Sequence, residues 1–138
     1  MIVTVTPNPS LDRSAALTSP IVRGQVHRLS HVTTVAAGKG VNISRALRNA
    51  QVPTRAVVPA AEHDPLLIGL EQADIPYRGV PIAEPVRTNL TVTEPDGTTT
   101  KFNEPGAQLS VAERVAFEDA VAAAAADADW VVMSGSLP

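Results

Sequence analysis

A glycine-rich run with one lysine, Ala36-Ala37-Gly38-Lys39-Gly40-Val41-Asn42, is the segment whose residue types and spacing best suit the binding of a ligand. Glycines let the backbone approach a ligand closely, and the first turn of a helix presents unpaired N–H groups at the positive end of its dipole. Lys39 adds a full positive charge beside them. These residues suit an anion, although a glycine turn that caps a helix next to an exposed lysine explains the local sequence equally well.

The spacing excludes the two common nucleotide-binding loops. A Walker loop needs a glycine five residues before the Gly-Lys pair and a Ser or Thr after it, and this sequence has Thr33 and Gly40 at those positions. A dinucleotide fingerprint that begins at Gly38 would need a third glycine where Ile43 stands. The anion hypothesis therefore does not imply a nucleotide bound at this loop.

Length and composition limit the class of protein. A chain of 138 residues with 44% hydrophobic residues is long enough for one globular domain with a core. Its net charge of −3 gives no general attraction to nucleic acid or to an anionic membrane, so we expect neither as a partner and expect any anion site to be local. There is no cysteine, and no run resembles a signal peptide or a membrane span, so a soluble cytoplasmic location is expected.

Metal binding is not predicted. Without cysteine there is no thiolate ligand, and His27, His31 and His63 do not have the spacing of a metal site. We expect these histidines to lie on the surface.

Apolar β-branched runs alternate with helical patterns along the chain. The first run ends at Pro7-Asn8-Pro9, which predicts a buried strand followed by a loop that carries Ser10, Asp12 and Arg13. Asp64 is predicted to cap the second helix, and Ser110 with Glu113 forms a capping box before the third. Strands are predicted at 1–6, 54–58, 75–80 and a buried 129–133, and helices at 41–50, 65–73 and 111–126.

Two polar regions predict antiparallel strands outside this alternation. Residues 25–29 and 31–35 suggest short exposed strands, and residues 88–93 and 98–103 flank a Glu94-Pro95-Asp96-Gly97 turn as a β-hairpin. We therefore predict an α/β fold with three layers around a mostly parallel sheet, and a separate β flap. The chain stops at Ser134–Pro138, where a ligand-facing loop would begin, so we expect it to be part of a larger domain with an exposed sheet edge.

Four motifs in order resemble the ribokinase-like (PfkB) sugar kinases. They are Thr4–Asp12, the glycine run at 36–42, Arg87-Thr88-Asn89 and Ser134–Pro138. Within that family, Ala-Ala-Gly-Lys-Gly and Arg23-Gly24-Gln25-Val26 are typical of the 1-phosphofructokinases, which convert fructose 1-phosphate and ATP to fructose 1,6-bisphosphate. The resemblance covers all 138 residues and implies the N-terminal part of a three-layer α/β/α sandwich, with a small β-sheet lid over the sugar from roughly 13–35 and 88–103.

The resemblance also implies roles for particular residues. Asp12 would accept hydrogen bonds from sugar hydroxyls, and Gly38 and Asn42 would contact the sugar, although Asn42 could instead cap the helix with its amide. Lys39 and Arg87 would bind the substrate phosphate. Asn103 would face the sugar or flank a turn, and the hydroxyls of Ser134 and Ser136 could reach the ligand from their loop, although such a serine could instead cap a following helix.

The same resemblance places the catalysis elsewhere. The family's catalytic base is an aspartate in a Gly-Ala-Gly-Asp type loop, and no such loop occurs in this sequence. The base, the ATP-binding part and the Mg contacts are expected beyond Pro138, so no catalytic residue is predicted here and the chain alone is expected to be inactive. Two alternatives stay open: a non-catalytic sugar-phosphate-binding module that forms a homodimer through the lid, and a kinase for tagatose 6-phosphate or fructose 6-phosphate.

Overall fold

The computed structural model describes residues 1–138 and contains eight strands and three helices. In chain order they are β1 (Ile2–Val5), β2 (Ser10–Ala16), β3 (Ser30–Ala37), α1 (Lys39–Asn49), β4 (Thr54–Ala60), α2 (Pro65–Gln72), β5 (Tyr77–Pro81), β6 (Arg87–Thr93), β7 (Thr99–Asn103), α3 (Val111–Ala125) and β8 (Trp130–Met133).

The central sheet is parallel and has the strand order β5-β4-β1-β8. The side chains of successive β4 residues point to opposite faces of the sheet, as in any pleated strand. Ala56 and Val58 pack in a cluster with residues of α1 and α2, and Val57 packs with Phe117 of α3 in a second cluster. Helices therefore cover both faces, which confirms the predicted three-layer α/β/α architecture.

A second, smaller sheet has the order β3-β2-β6-β7. Its strands β2 and β6 are parallel, whereas the outer pairs β2–β3 and β6–β7 are antiparallel. The β6–β7 pair is the hairpin predicted around Glu94–Gly97. We call this unit the small sheet; it runs from Ser10 to Ala37 and from Arg87 to Asn103, a few residues wider than the expected lid strands.

The predicted helix starts are confirmed in their atomic detail. The Asp64 carboxylate accepts hydrogen bonds from the Leu66 N–H at 2.8 Å and from the Val86 N–H at 3.0 Å. Ser110 and Glu113 make both hydrogen bonds of a capping box at the start of α3. The donors around Glu113, first the Ser110 hydroxyl and then the N–H groups of Ser110 and Ala83, lower the pKa of its carboxyl group.

Three local predictions were wrong. Ser10–Asp12 belong to a strand and not to a loop, because β2 begins at Ser10 and pairs on both sides, with β3 and with β6. Residues 25–29 form no strand, since the chain turns at Gly24, whose φ is +80° and whose turn is closed by a bond from the Gln25 N–H to the Val22 carbonyl. The strand near 129–133 is present but is not buried, because β8 is the edge strand of the sheet and leaves Trp130 71% exposed.

No helix is both long enough and apolar enough to cross a bilayer. Nor do three or more His, Cys, Asp or Glu side chains come together as a group that could hold a metal ion.

Candidate functional site

The predicted site residues gather around the carboxyl end of β1, which is where parallel α/β sheets bind ligands. Three chain segments meet there. Residues 6–9 leave β1 for the small sheet, Gly38 joins β3 to α1, and residues 134–138 follow β8. The Ser134 N–H donates to the Val5 carbonyl at 3.1 Å, which holds the last segment beside the first.

The glycines of the loop are required by close packing on Thr6. A Cβ on Gly38 would lie 2.6 Å from Thr6 Cγ2, and one on Gly40 would lie 2.4 Å from Thr6 Oγ1. Gly38 also has a φ of +126°, which side chains rarely adopt. The Thr6 hydroxyl is buried beneath the loop and has no hydrogen-bond partner. The loop can therefore approach the strand only without side chains at these two positions.

The N-terminus of α1 is left open to a ligand. Gly38 is its N-cap and offers no side-chain acceptor, and there is no acidic residue in the first turn. The first helical bond runs from the Asn42 N–H to the Gly38 carbonyl at 2.8 Å, so the N–H groups before it have no partner within the helix. Lys39 is exposed and forms no ion pair with a protein carboxylate. This arrangement matches the anion hypothesis.

Asn42 lies one turn into α1, on the exposed side of the loop. Its Oδ1 accepts a hydrogen bond from Arg45 Nη1 at 2.8 Å. The alternative in which its amide caps the helix is wrong, because Gly38 occupies the cap position and no side-chain capping bond is present. Its contact with sugar stays a prediction.

Asp12 lies in a row of polar residues that crosses the small sheet. The register aligns Asp12 of β2 with Asn89 of β6, and Asn89 with Asn103 of β7. Asp12 Oδ1 accepts from Ser10 Oγ at 2.9 Å and from Asn89 Nδ2 at 3.1 Å. Its Oδ2 has no hydrogen-bond partner in the protein and can accept from a ligand.

Sequence reasoning did not assign a role to Asn89. A signal was present, since Asn89 belongs to the Arg87-Thr88-Asn89 motif and lies in the predicted strand 88–93. β6 begins at Arg87, so the side chains of Arg87 and Asn89 share a face. What the sequence could not supply was the pairing of that strand with the one that carries Asp12. The Asn89 Oδ1 is buried without a partner, as is the Arg87 Nε.

Arg87 has neutral oxygens as its only protein partners. Its Nη2 lies 3.3 Å from the Asn8 carbonyl oxygen and 3.4 Å from Ser136 Oγ, and its Nη1 lies 3.5 Å from the Glu104 carbonyl oxygen. All three distances are long for charge-assisted hydrogen bonds, and no carboxylate pairs with the guanidinium. A half-buried cation of this kind is suited to receive an anion.

The loop after β8 carries the two serines, Ser134 and Ser136, that are expected from the sequence to reach a ligand. Ser136 Oγ is the hydroxyl near Arg87, whereas Ser134 is held at this end of the sheet by its backbone bond to Val5 and makes no side-chain hydrogen bond. The role of Ser134 stays a prediction.

A large groove lies beside these residues and shares only Asn103 with the predicted set. Its volume is about 590 Å³, and it is lined by Arg13, Leu29, Thr88, Leu90, Phe102, Asn103 and Glu104. The register aligns Arg13 with Leu90 and Phe102 in the row next to that of Asp12, and neighbouring rows point to opposite faces of a sheet. The groove therefore belongs mainly to the other face of the small sheet. We call the region around Asp12, Arg87 and the loop at 38–42 the cleft.

Comparison with known proteins decides the family. The sequence pattern of the pfkB family carbohydrate kinases matches residues 8–138. The chain belongs to the pfkB family of carbohydrate kinases. The small sheet, the glycine loop and the segment after β8 lie within the matched range, so all the residues of the candidate site except Thr6 are part of that match.

Relatives within the family include two kinds of phosphofructokinase. The chain is 32% identical to a 1-phosphofructokinase of Vibrio cholerae over an alignment of 139 residues. This alignment covers 99% of this chain and 44% of the relative. It is 34% identical over 141 residues to an ATP-dependent 6-phosphofructokinase isozyme 2 of Mycobacterium tuberculosis, of which it covers 41%. The chain thus spans less than half the length of these relatives.

Solved structures agree with this assignment. Phosphofructokinase-2 from Escherichia coli in complex with fructose-6-phosphate superposes with a TM-score of 0.89 at 28% identity, over 99% of this chain and 46% of that chain. A possible 1-phosphofructokinase from Thermotoga maritima gives a TM-score of 0.88 at 26% identity, over 100% of this chain and 45% of that chain. The family and the ribokinase-like fold predicted from the motifs are confirmed.

The packing of the loop on Thr6 predicts the effect of Gly40→Ala. Its Cβ would meet Thr6 Oγ1 and the Val5 carbonyl oxygen, at 2.4 and 2.9 Å, so the loop must move. We expect unfolding in urea to show a loss of roughly 1–3 kcal/mol, the usual cost of overpacking. The matched control is Gly79→Ala, where a Cβ would make an ordinary contact of 3.4 Å with the Leu67 side chain. Equal stability of the two variants would contradict this account of the loop.

Proposed function

We propose that this chain forms the sugar-phosphate-binding part of an ATP-dependent fructose-phosphate kinase whose acceptor is fructose 1-phosphate. The observation that carries the proposal is the placement of Asp12 and Arg87 on one face of two paired strands. Ser10 is aligned with Arg87 and Asp12 with Asn89, so the carboxylate and the guanidinium are diagonal neighbours. One group accepts from hydroxyls and the other binds a phosphate, as a phosphorylated sugar requires.

The sugar end of the cleft is supported by the hydrogen bonds of Asp12. Both of its protein donors contact Oδ1, which fixes the carboxylate and leaves Oδ2 to accept from sugar hydroxyls. Asn103 lies in the same row across the sheet, and Gly38 and Asn42 bring the loop and the first turn of α1 to the cleft.

The phosphate end is supported by three positive features. Arg87 has only neutral partners, Lys39 has no ion pair, and the start of α1 has free N–H groups. A guanidinium can bind two phosphate oxygens at once, and a lysine adds a point charge. The protein as a whole has a net charge of −3, so it does not attract anions in general. These local positive groups would therefore bind the substrate phosphate at one place.

The transfer itself requires groups that this chain does not supply. In the proposed reaction the free primary hydroxyl of the sugar attacks the γ-phosphorus of ATP, its proton passes to a base, and the bond to ADP breaks. The sequence contains no Gly-Ala-Gly-Asp loop. We propose that the base and the ATP and Mg contacts come from the remainder of a protein that is as long as the relatives.

We further propose that the small sheet acts as a lid over the sugar. It presents Asp12 and Asn89 toward the cleft, and it is joined to the central sheet at the short connections next to the site. A lid that excludes water would favour phosphoryl transfer to the sugar over hydrolysis of ATP.

The choice of substrate is tested by kinetics of the full-length protein. We expect the highest kcat/KM with fructose 1-phosphate, compared with fructose 6-phosphate and tagatose 6-phosphate, in an assay coupled to ADP release. A higher kcat/KM for either 6-phosphate would show that this sugar phosphate is the preferred substrate. The proposed kinase activity itself would stand. The chain of residues 1–138 is the control and should show no turnover, because it lacks the base. Turnover that persists after further purification would contradict the proposal that the base lies outside these residues.

The phosphate role is tested by Arg87→Ala in the full-length protein. We expect the affinity for fructose 1-phosphate to fall by about 10- to 100-fold, the value of one hydrogen bond to a charged group, with a much smaller loss for fructose. Arg78→Ala is the matched control, because Arg78 is an exposed arginine on β5, outside the site. An equal loss of affinity for both ligands would show that Arg87 does not bind the phosphate.

We propose a second copy of the chain as the protein partner. The groove on the outer face of the small sheet is lined by Leu29, Leu90 and Phe102, and Phe102 is 56% exposed. Exposed apolar side chains that lie together in one patch mark protein interfaces. A structure of phosphofructokinase-2 from Escherichia coli is described as a tetrameric form, so assembly occurs among relatives.

Sedimentation of the full-length protein tests this interface. We expect Phe102→Glu to shift the protein toward monomer, because a charge would be buried in an apolar contact. Ile68→Glu is the control, since Ile68 is 49% exposed on α2 and does not line this groove. A wild-type protein that is monomeric at all concentrations would contradict the proposal.

A further inference from the structure

Asn8 is a buried polar residue at the centre of the site that no role above explains. It lies between two prolines where the chain crosses from β1 to β2, and it is only 4% exposed. Buried amides are hydrogen-bonded in folded proteins. The Asn8 Nδ2 donates to the Pro105 carbonyl at 2.9 Å and lies 3.4 Å from Ser136 Oγ.

These contacts join the segments that surround Arg87. Pro105 follows β7, and Ser136 follows β8. The Asn8 carbonyl oxygen and Ser136 Oγ are also the two acceptors near Arg87 Nη2. Asn8 therefore contributes one acceptor through its backbone and holds the other through its side chain.

The orientation of Asn8 is fixed by a close approach of the backbone. Gly106 has a φ of +111°, and a Cβ at this position would lie 2.2 Å from Asn8 Oδ1. Only glycine permits this contact. The Asn8 amide is thus held between the segment at 105–106 and Ser136, with little freedom to turn.

We propose that Asn8 is a positioning residue for Arg87, which sets the phosphate preference of the site without touching the phosphate. The inference rests on the proposed phosphate role of Arg87. Without the Asn8 amide, the segments at Pro105 and Ser136 lose their common donor, and the acceptors that orient the guanidinium separate. A residue with only a structural role would change binding of phosphorylated and unphosphorylated sugars alike.

A double-mutant cycle on the full-length protein tests this coupling. The variants are Asn8→Ala, Arg87→Ala and the pair, and the measured quantity is the ratio of kcat/KM for fructose 1-phosphate to that for fructose. We expect Asn8→Ala to lower this ratio about five- to tenfold, the value of roughly one hydrogen bond. The pair should be no worse than Arg87→Ala alone, because residues that act through one another are not additive.

The controls separate positioning from general damage. Asn49→Ala, at the exposed last residue of α1, should leave the ratio unchanged. Gly106→Ala displaces Asn8 while keeping its amide and should lower the ratio in the same direction, which gives a second test if Asn8→Ala does not fold. A ratio that Asn8→Ala leaves unchanged, or losses that simply add in the pair, would overturn the proposal.

The same cycle distinguishes the two levels of inference. If Arg87→Ala leaves the ratio unchanged, the proposed phosphate site itself is wrong, and the role of Asn8 falls with it. If Arg87→Ala lowers the ratio and Asn8→Ala does not, the phosphate site stands and only the positioning role is overturned.

Discussion

Thr6 leaves no space for a side chain on either of the two glycines that face it, and the rest of the site depends on this contact. Because Gly38 and Gly40 approach β1 so closely, α1 begins directly above the carboxyl end of that strand. In the proposed site, the positive end of this helix serves the same substrate phosphate as Arg87. A side chain at either glycine would displace the helix N-terminus from the carboxyl end of β1.

The register of the small sheet imposes the second constraint. One row brings Asp12 and Asn89 to the cleft, and the neighbouring row carries Arg13, Leu90 and Phe102 to the opposite face. A shift of one residue in the pairing would exchange the two sets. The proposed substrate contacts and the proposed interface between copies therefore use opposite faces of the same four strands.

Much of the architecture could be predicted because its signals are local. Asp64 and Ser110 with Glu113 marked helix starts through hydrogen bonds that span only a few residues. The local pattern did not predict the start of β2, because Ser10–Ala16 mixes polar and small residues, and such a segment becomes a strand only when neighbours pair with it on both sides. The exposure of β8 has the same origin, since an apolar sequence does not say which strand lies at the edge of a sheet.

By itself the sequence determined the glycine loop, the candidate cations, the helix caps, the alternation of strands and helices, and the motifs that identify the family. Only the tertiary structure decided which of these residues act together. Asn89 meets Asp12 across 77 positions of sequence, Arg87 meets the Asn8 carbonyl across 79, and Asn8 meets Ser136 across 128. Contacts over such separations depend on which strands pair within each sheet and on how the two sheets are connected. No local pattern of residue types encodes that pairing.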